Sequence, residues 1–187
     1  MLGQRLFRAR GWVPVPFALL LIAFAREPVR WMLVAGVLLL AVGEALRLWG
    51  VAHIGAVSRT RGDEVARLVE GGPFAWSRNP LYIGNLMLWS GVGLLAGRPL
   101  AAAVVVLVLA VHYRFVVAWE EENLRARLGA PYEAYTARVS RWFGGRRSTP
   151  DASADWAGAF RSERSTVLAA SLMVAAIQLR VVAARLA

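Results

Sequence analysis

Five apolar blocks, separated by segments that carry arginine, constrain this chain more than any other feature. Val29 to Val51, Leu81 to Ala96, Leu100 to Trp119 and Thr166 to Ala187 each approach the length of a membrane span. A span needs about 20 mostly apolar residues, because a helix rises about 1.5 Å per residue through a hydrocarbon layer about 30 Å thick. Backbone groups inside that layer must pair within their own segment, so such blocks fold as helices. The fifth block, Trp12 to Ala25, is shorter and holds Pro14 and Pro16. Composition agrees, since 58% of the 187 residues are hydrophobic and the mean hydropathy is +0.49. The expectation is an all-α, polytopic integral membrane protein with about five transmembrane helices.

Two readings of the short block stay open. Arg5, Arg8 and Arg10, an apolar run and Ala23-Phe24-Ala25 resemble a cleavable signal peptide. A retained, tilted first helix also fits, and later spans make a signal peptide unnecessary for insertion.

Charge sets an orientation. The net charge is +10 and every basic side chain is arginine. A nucleic-acid partner is one reading of such a balance. Here, however, the arginines sit between apolar blocks. With the N-terminus in the cytosol, Arg5, Arg8, Arg10, Arg59, Arg61, Arg67, Arg78, Arg125, Arg127, Arg138, Arg141, Arg146, Arg147, Arg161 and Arg164 lie inside, against Arg26, Arg30 and Arg98 outside. The positive-inside rule accounts for that asymmetry without nucleic acid. It predicts an inner-membrane, multi-pass protein with its N-terminus in the cytosol.

Other classes lack their residues. Cysteine is absent, which removes thiolate catalysis and cysteine metal sites. His53 and His112 are the two histidines and form no metal-binding spacing, so no metal is expected. Residues 1–145 read as a membrane core and 146–165 as a Gly/Ser/Asp-rich cytosolic linker. Residues 166–187 read as a final transmembrane or interfacial helix.

The chemistry-bearing residues fall in two cytosolic segments. The first is Val69-Glu70-Gly71-Gly72-Pro73-Phe74, continuing to Arg78-Asn79-Pro80-Leu81-Tyr82-Ile83-Gly84. Its glycines and proline turn the backbone, and Pro80 suits the first turn of the next helix. Amides there, beside Arg78, suit a carboxylate; a plain re-entry turn with a snorkelling arginine fits the same spacing. The second is Trp119-Glu120-Glu121-Glu122-Asn123-Leu124-Arg125, with Leu128-Gly129, Tyr132 and Tyr135 beyond it. A Glu121–Arg125 pair at i,i+4 explains one carboxylate of the three. A cationic ligand explains the cluster better.

Taken together, Gly72-Pro73-Phe74, Arg78-Asn79-Pro80-Leu81-Tyr82-Ile83-Gly84, Glu120-Glu121, Leu124, Leu128-Gly129, Tyr132, Tyr135 and Val139-Ser140-Arg141 resemble the isoprenylcysteine carboxyl methyltransferases and the related phospholipid N-methyltransferases. The resemblance covers roughly residues 46 to 143. Asn79 stands where isoprenylcysteine enzymes carry histidine, as in the phospholipid relatives. The resemblance implies S-adenosylmethionine as cofactor, with Arg78, Asn79, Pro80 and Tyr82 in the cofactor-contacting half-motif. Glu120 and Glu121 would hold the methionine moiety, and Val69 and Gly72 would offer backbone to the adenine. The implied acceptor is a lipophilic amine, carboxylate or isoprenoid-type substrate entering from the bilayer.

On the acceptor side, intramembrane ionisable residues are the candidates: Glu44 and Arg47, His112 and Arg114. His112 is the candidate base, Arg114 lies two turns before Glu121, and Glu44 and Arg47 are spaced to pair. The sequence weighs two further readings, a sterol-type NADPH reductase and a non-enzymatic transporter or scaffold.

Overall fold

The computed structural model describes residues 2–55, 68–145 and 154–186. Arg59, Arg61, Arg67, Arg146 and Arg147 of the charge asymmetry lie outside the described residues. Two short helices, α1 (Leu2–Ala9) and α2 (Val15–Ala23), precede α3 (Arg30–Ile54). A 3₁₀ turn at Gly72–Ala75 leads to α4 (Pro80–Leu95), α5 (Pro99–Leu128), α6 (Ala130–Arg138) and α7 (Trp156–Leu186). No strand occurs among the described residues. Pro80 and Pro99 open α4 and α5, where a missing N–H leaves no bond unmade.

Three helices, α3, α5 and α7, are long and apolar enough to cross a membrane; α4 is apolar but shorter, at 16 residues. Only 17% of the most apolar window of α3 and 11% of that of α7 is buried inside the protein. Their outer faces show Trp31, Val37, Leu38, Leu172 and Leu179. Such contiguous apolar surface fits hydrocarbon rather than water.

α3 and α4 form the tightest seam, and glycine spacing makes it. Gly36, Gly43 and Gly50 recur every seven residues on α3, as do Gly84 and Gly91 on α4. The helices run antiparallel, so Gly43 meets Gly84 and Gly36 meets Gly91. A Cβ on Gly84 would lie 2.8 Å from the Gly43 carbonyl oxygen, and one on Gly91 2.7 Å from that of Gly36. Small residues at such a seam let two backbones approach where no hydrophobic force drives apolar helices together.

The short first block traverses the bundle as a broken helix. Phe7 of α1 packs on Trp119 of α5, with ring centroids 5.0 Å apart. At the far end the Arg26 N–H donates to the Ala96 carbonyl at 2.9 Å, on the turn between α4 and α5. Residues 10 to 26 therefore pass from the Trp119 end to the Ala96 end. Pro14 and Pro16 confine regular helix to the nine residues of α2.

The C-terminal boundary is corrected. Residues 156–165, read as linker from composition, are the first turns of α7, which begins ten residues before Thr166. Asp155 caps it, its carboxylate accepting the Gly158 N–H at 2.8 Å while its own N–H donates to the Ala52 carbonyl at 2.8 Å. At its other end, Ile177 and Val181 bury against Leu21, Ala25, Val92 and Ala96.

Candidate functional site

The turn before α4 is locked by the chain that follows α6. Gly72 has φ +58°, which glycine adopts without strain, and a Cβ there would meet the His53 ring at 2.6 Å. The Arg78 N–H donates to the Ser140 carbonyl at 3.1 Å, and the Gly145 N–H to that of Trp76 at 2.9 Å. Asn79 donates its side-chain amide to the Arg141 carbonyl at 3.1 Å, and its N–H to Ser77 Oγ at 3.0 Å. Tyr135 donates to the Phe74 carbonyl at 2.8 Å. Asn79 thus holds the turn's shape, and its neighbour Arg78 extends from it.

The acidic run divides its members. Glu121 is 2% exposed and faces three guanidinium groups: Arg141 at 2.7 Å, Arg78 at 3.3 Å and Arg125 at 4.0 Å. The Arg125 pairing expected from spacing is the longest of the three. Glu120, one residue earlier, accepts the Tyr82 hydroxyl at 2.8 Å, and no arginine pairs with it within 4.0 Å among the described residues. Glu122 is exposed. The Arg78 Nε is buried with no hydrogen-bond partner among the described residues. A buried donor left unmade costs on the order of 1–3 kcal/mol, so it calls for a partner.

These groups border a cavity of about 970 Å³. That is the upper part of the roughly 300–1,000 Å³ range of small-molecule sites. Val69, Arg78, Asn79, Pro80, Tyr82, Glu120 and Glu121 all line it. Gly72 does not; it shapes the turn behind them. None of the acceptor-side candidates Glu44, His112 and Arg114 lines it. His112 is buried, its Nε2 without a hydrogen-bond partner among the described residues, and Arg114 is exposed. Glu44 lies 3.8 Å from Arg47, the pairing their spacing suggests.

Tyr132 also lines the cavity, and burial pushes its phenol up to about 12, so it remains a donor. Burial raises Tyr135 still further. The hydrogen bond to Glu121 raises Arg141, which keeps its charge.

Several residues escape sequence reasoning. Arg10, from the segment after α1, lines the cavity and acts electrostatically on Glu120 and Tyr82. Glu163 is wholly buried on α7 and forms a two-pronged ion pair with Arg47, 2.7 Å at its shortest. Asn85 and Tyr113 line the wall beside Arg47. Asp155, a helix-capping residue, is the sequence signal that would have brought Glu163 into a helix.

The sequence profile of the phospholipid methyltransferase family matches residues 31–130, which comprise α3, the Arg78 turn, α4 and α5. The chain belongs to that family. It is 33% identical over 90 residues to the phosphatidyl-N-methylethanolamine N-methyltransferase of Saccharomyces cerevisiae. That match covers 46% of this chain and spans less than half, 43%, of the yeast protein. No solved structure matches.

Proposed function

We propose that this protein transfers a methyl group from S-adenosylmethionine to a lipophilic acceptor at the cytosolic membrane face. One observation carries the reading: Arg78, whose buried Nε has no hydrogen-bond partner among the described residues, and Glu120, which no arginine among them approaches within 4.0 Å, border the same cavity. S-adenosylmethionine carries a carboxylate beside a sulfonium and an ammonium, which fits that donor set. Arg78 would hold the carboxylate, and Glu120 the cationic part. Val69 would border the adenine and Pro80 the turn. Glu121 serves by fixing Arg78 and Arg141 in place.

When bound, the cofactor supplies an electrophilic methyl group on a sulfonium. The chain's residues then have to align the acceptor and exclude water, the main sources of rate in an in-line displacement. Tyr82 fixes the orientation of the Glu120 carboxylate by its hydrogen bond. An ammonium acceptor must first lose a proton; Glu120 lies at the site to accept one.

The end-to-end course of residues 10 to 26 favours five passes with a cytosolic N-terminus. Arg10 shares the cavity with Arg78, while Arg26 lies at the opposite turn.

Calorimetry of the purified protein in detergent tests the cofactor. Binding of S-adenosylmethionine or its demethylated product with a micromolar dissociation constant, about 8 kcal/mol, is expected. Heat with NADPH and none with either nucleoside would transfer the chain to reductase chemistry.

A further inference from the structure

Beside the Tyr82–Glu120 end, the cavity wall carries a second polar chain. Arg47 donates from Nε and Nη2 to Glu163 at 3.2, 3.0 and 2.7 Å, and from Nη2 to Thr166 Oγ1 at 3.4 Å. From Nη1 it donates to Asn85 Oδ1. A guanidinium has five N–H groups, so one Nη1 proton remains. Asn85 also stands beside the Tyr113 hydroxyl on this wall. Tyr113 lines the cavity, and its hydroxyl carries a proton it can donate there.

Which atoms face the cavity decides what the chain does. Arg47, Asn85, Tyr113 and Thr166 line it; Glu163, 0% exposed, does not. The counter-charge stands behind the guanidinium, and the face offered to a ligand is made of donors. Arg10 adds positive potential, since it acts electrostatically on Tyr113 as well as Tyr82. Beyond these groups the wall turns apolar at Ile22, Leu88, Trp89, Val92 and Met173. Helix geometry reserves the place for Arg47, because a Cβ on Gly84 would lie 2.6 Å from its Cγ. A purely structural tie between α3 and α7 would not need these charges. Apolar residues of similar volume often serve as well as a buried ion pair.

We propose that Arg47, Asn85 and Tyr113 form the subsite for the phosphodiester of the acceptor lipid, with Glu163 as the positioning residue behind them. This rests on the methyl-transfer reading above. A phosphodiester is singly anionic and its outer oxygens only accept hydrogen bonds, which matches a face of donors. The apolar wall beyond commits the ligand to a lipid rather than free phosphate. The Tyr82 and Tyr113 rings lie 4.8 Å apart, so a headgroup held at Tyr113 extends its amine toward Tyr82 and Glu120. α7 and Glu163 lie outside the stretch matched by the family, so acceptor selection draws on parts of this chain that the shared core lacks.

Binding of lipid to the cofactor-free full chain in detergent tests the proposal, read by tryptophan quenching and native mass spectrometry. The probes are a diacyl phosphatidyl-N-methylethanolamine and a phosphate-free N-methylamine carrying the same two acyl chains. The wild type is expected to prefer the phosphodiester lipid by about tenfold or more, the scale of one hydrogen bond to a charged group. Tyr113→Phe should weaken binding of that lipid about tenfold and leave the phosphate-free amine unchanged, because only the phosphodiester uses the lost donor. Glu163→Gln should act in the same direction, and it carries the test if Tyr113→Phe does not fold. Equal wild-type affinity for the two lipids overturns the proposal, as does an unchanged preference in the folded variants. A wild type that keeps the preference yet binds no S-adenosylmethionine supports the subsite and removes the methyl-transfer reading.

Discussion

Two buried arginine–glutamate pairs border this cavity, and they are built for different work. At the Arg78 end the carboxylate of Glu121 lines the cavity among three arginines, and a second carboxylate, Glu120, stands beside it with no arginine within 4.0 Å among the described residues. At the Arg47 end the carboxylate of Glu163 lies behind the wall and the guanidinium faces in. The first arrangement offers a carboxylate to a cation, the second offers donors to an anion. On the reading proposed above, an ion pair's function would depend on which partner is turned to the ligand.

The largest effect should come from the two glutamates at the Arg78 end, because they separate holding from binding. Glu121→Gln leaves Arg78 and Arg141 without their buried counter-charge, a change worth about 3–5 kcal/mol. Both the melting temperature in detergent and methyl transfer should fall. Glu120→Gln removes a carboxylate that has no arginine within 4.0 Å among the described residues. The melting temperature should hold while S-adenosylmethionine affinity drops by about 2–5 kcal/mol, as when one partner of a desolvated charge pair is lost. If Glu120→Gln melts earlier and Glu121→Gln does not, the two roles are reversed.

A smaller effect is expected at the Arg47 end. Gly84→Ala pushes a methyl group against the Gly43 carbonyl and the Arg47 side chain. Overpacking of this kind costs about 1–3 kcal/mol. The acceptor KM should rise while the cofactor dissociation constant stays constant, since Arg78 and Glu120 are not touched. A change in cofactor affinity alone would show that the two ends are not separable.

The two ends also differ in how far the sequence reveals them. Arg78, Tyr82, Glu120 and Glu121 fall in short motifs, because a turn and a helix exit place them by local spacing. Arg141 appears in the same pattern, but its contact with Glu121 crosses 20 residues and depends on how α6 folds back. The Arg47–Glu163 pair crosses 116 residues. Asp155 signals a helix start, but nothing in the spacing of Gly144 to Ser165 pairs Glu163 with Arg47, and the helix's exposed residues include Arg161 and Arg164. His112 stands out as an isolated intramembrane histidine, but it is not among the residues lining the cavity.

The smallest effect belongs to Glu122, and its smallness is informative. Glu120, Glu121 and Glu122 are consecutive, so each substitution to glutamine removes one charge from the same helix exit. On a helix, successive side chains turn by about a quarter of a circle. Glu121 therefore faces the arginines, Glu120 faces Tyr82, and Glu122 faces out of the protein. Glu122→Gln should change stability by no more than about 0.5 kcal/mol, the ordinary size of a surface substitution. Cofactor affinity should also hold, measured by the same calorimetric titration used for Glu120→Gln. If Glu122→Gln weakens binding as much as Glu120→Gln, the acidic run acts through bulk charge at the membrane surface. The distinction between a binding carboxylate, a holding carboxylate and a solvated one would then fall.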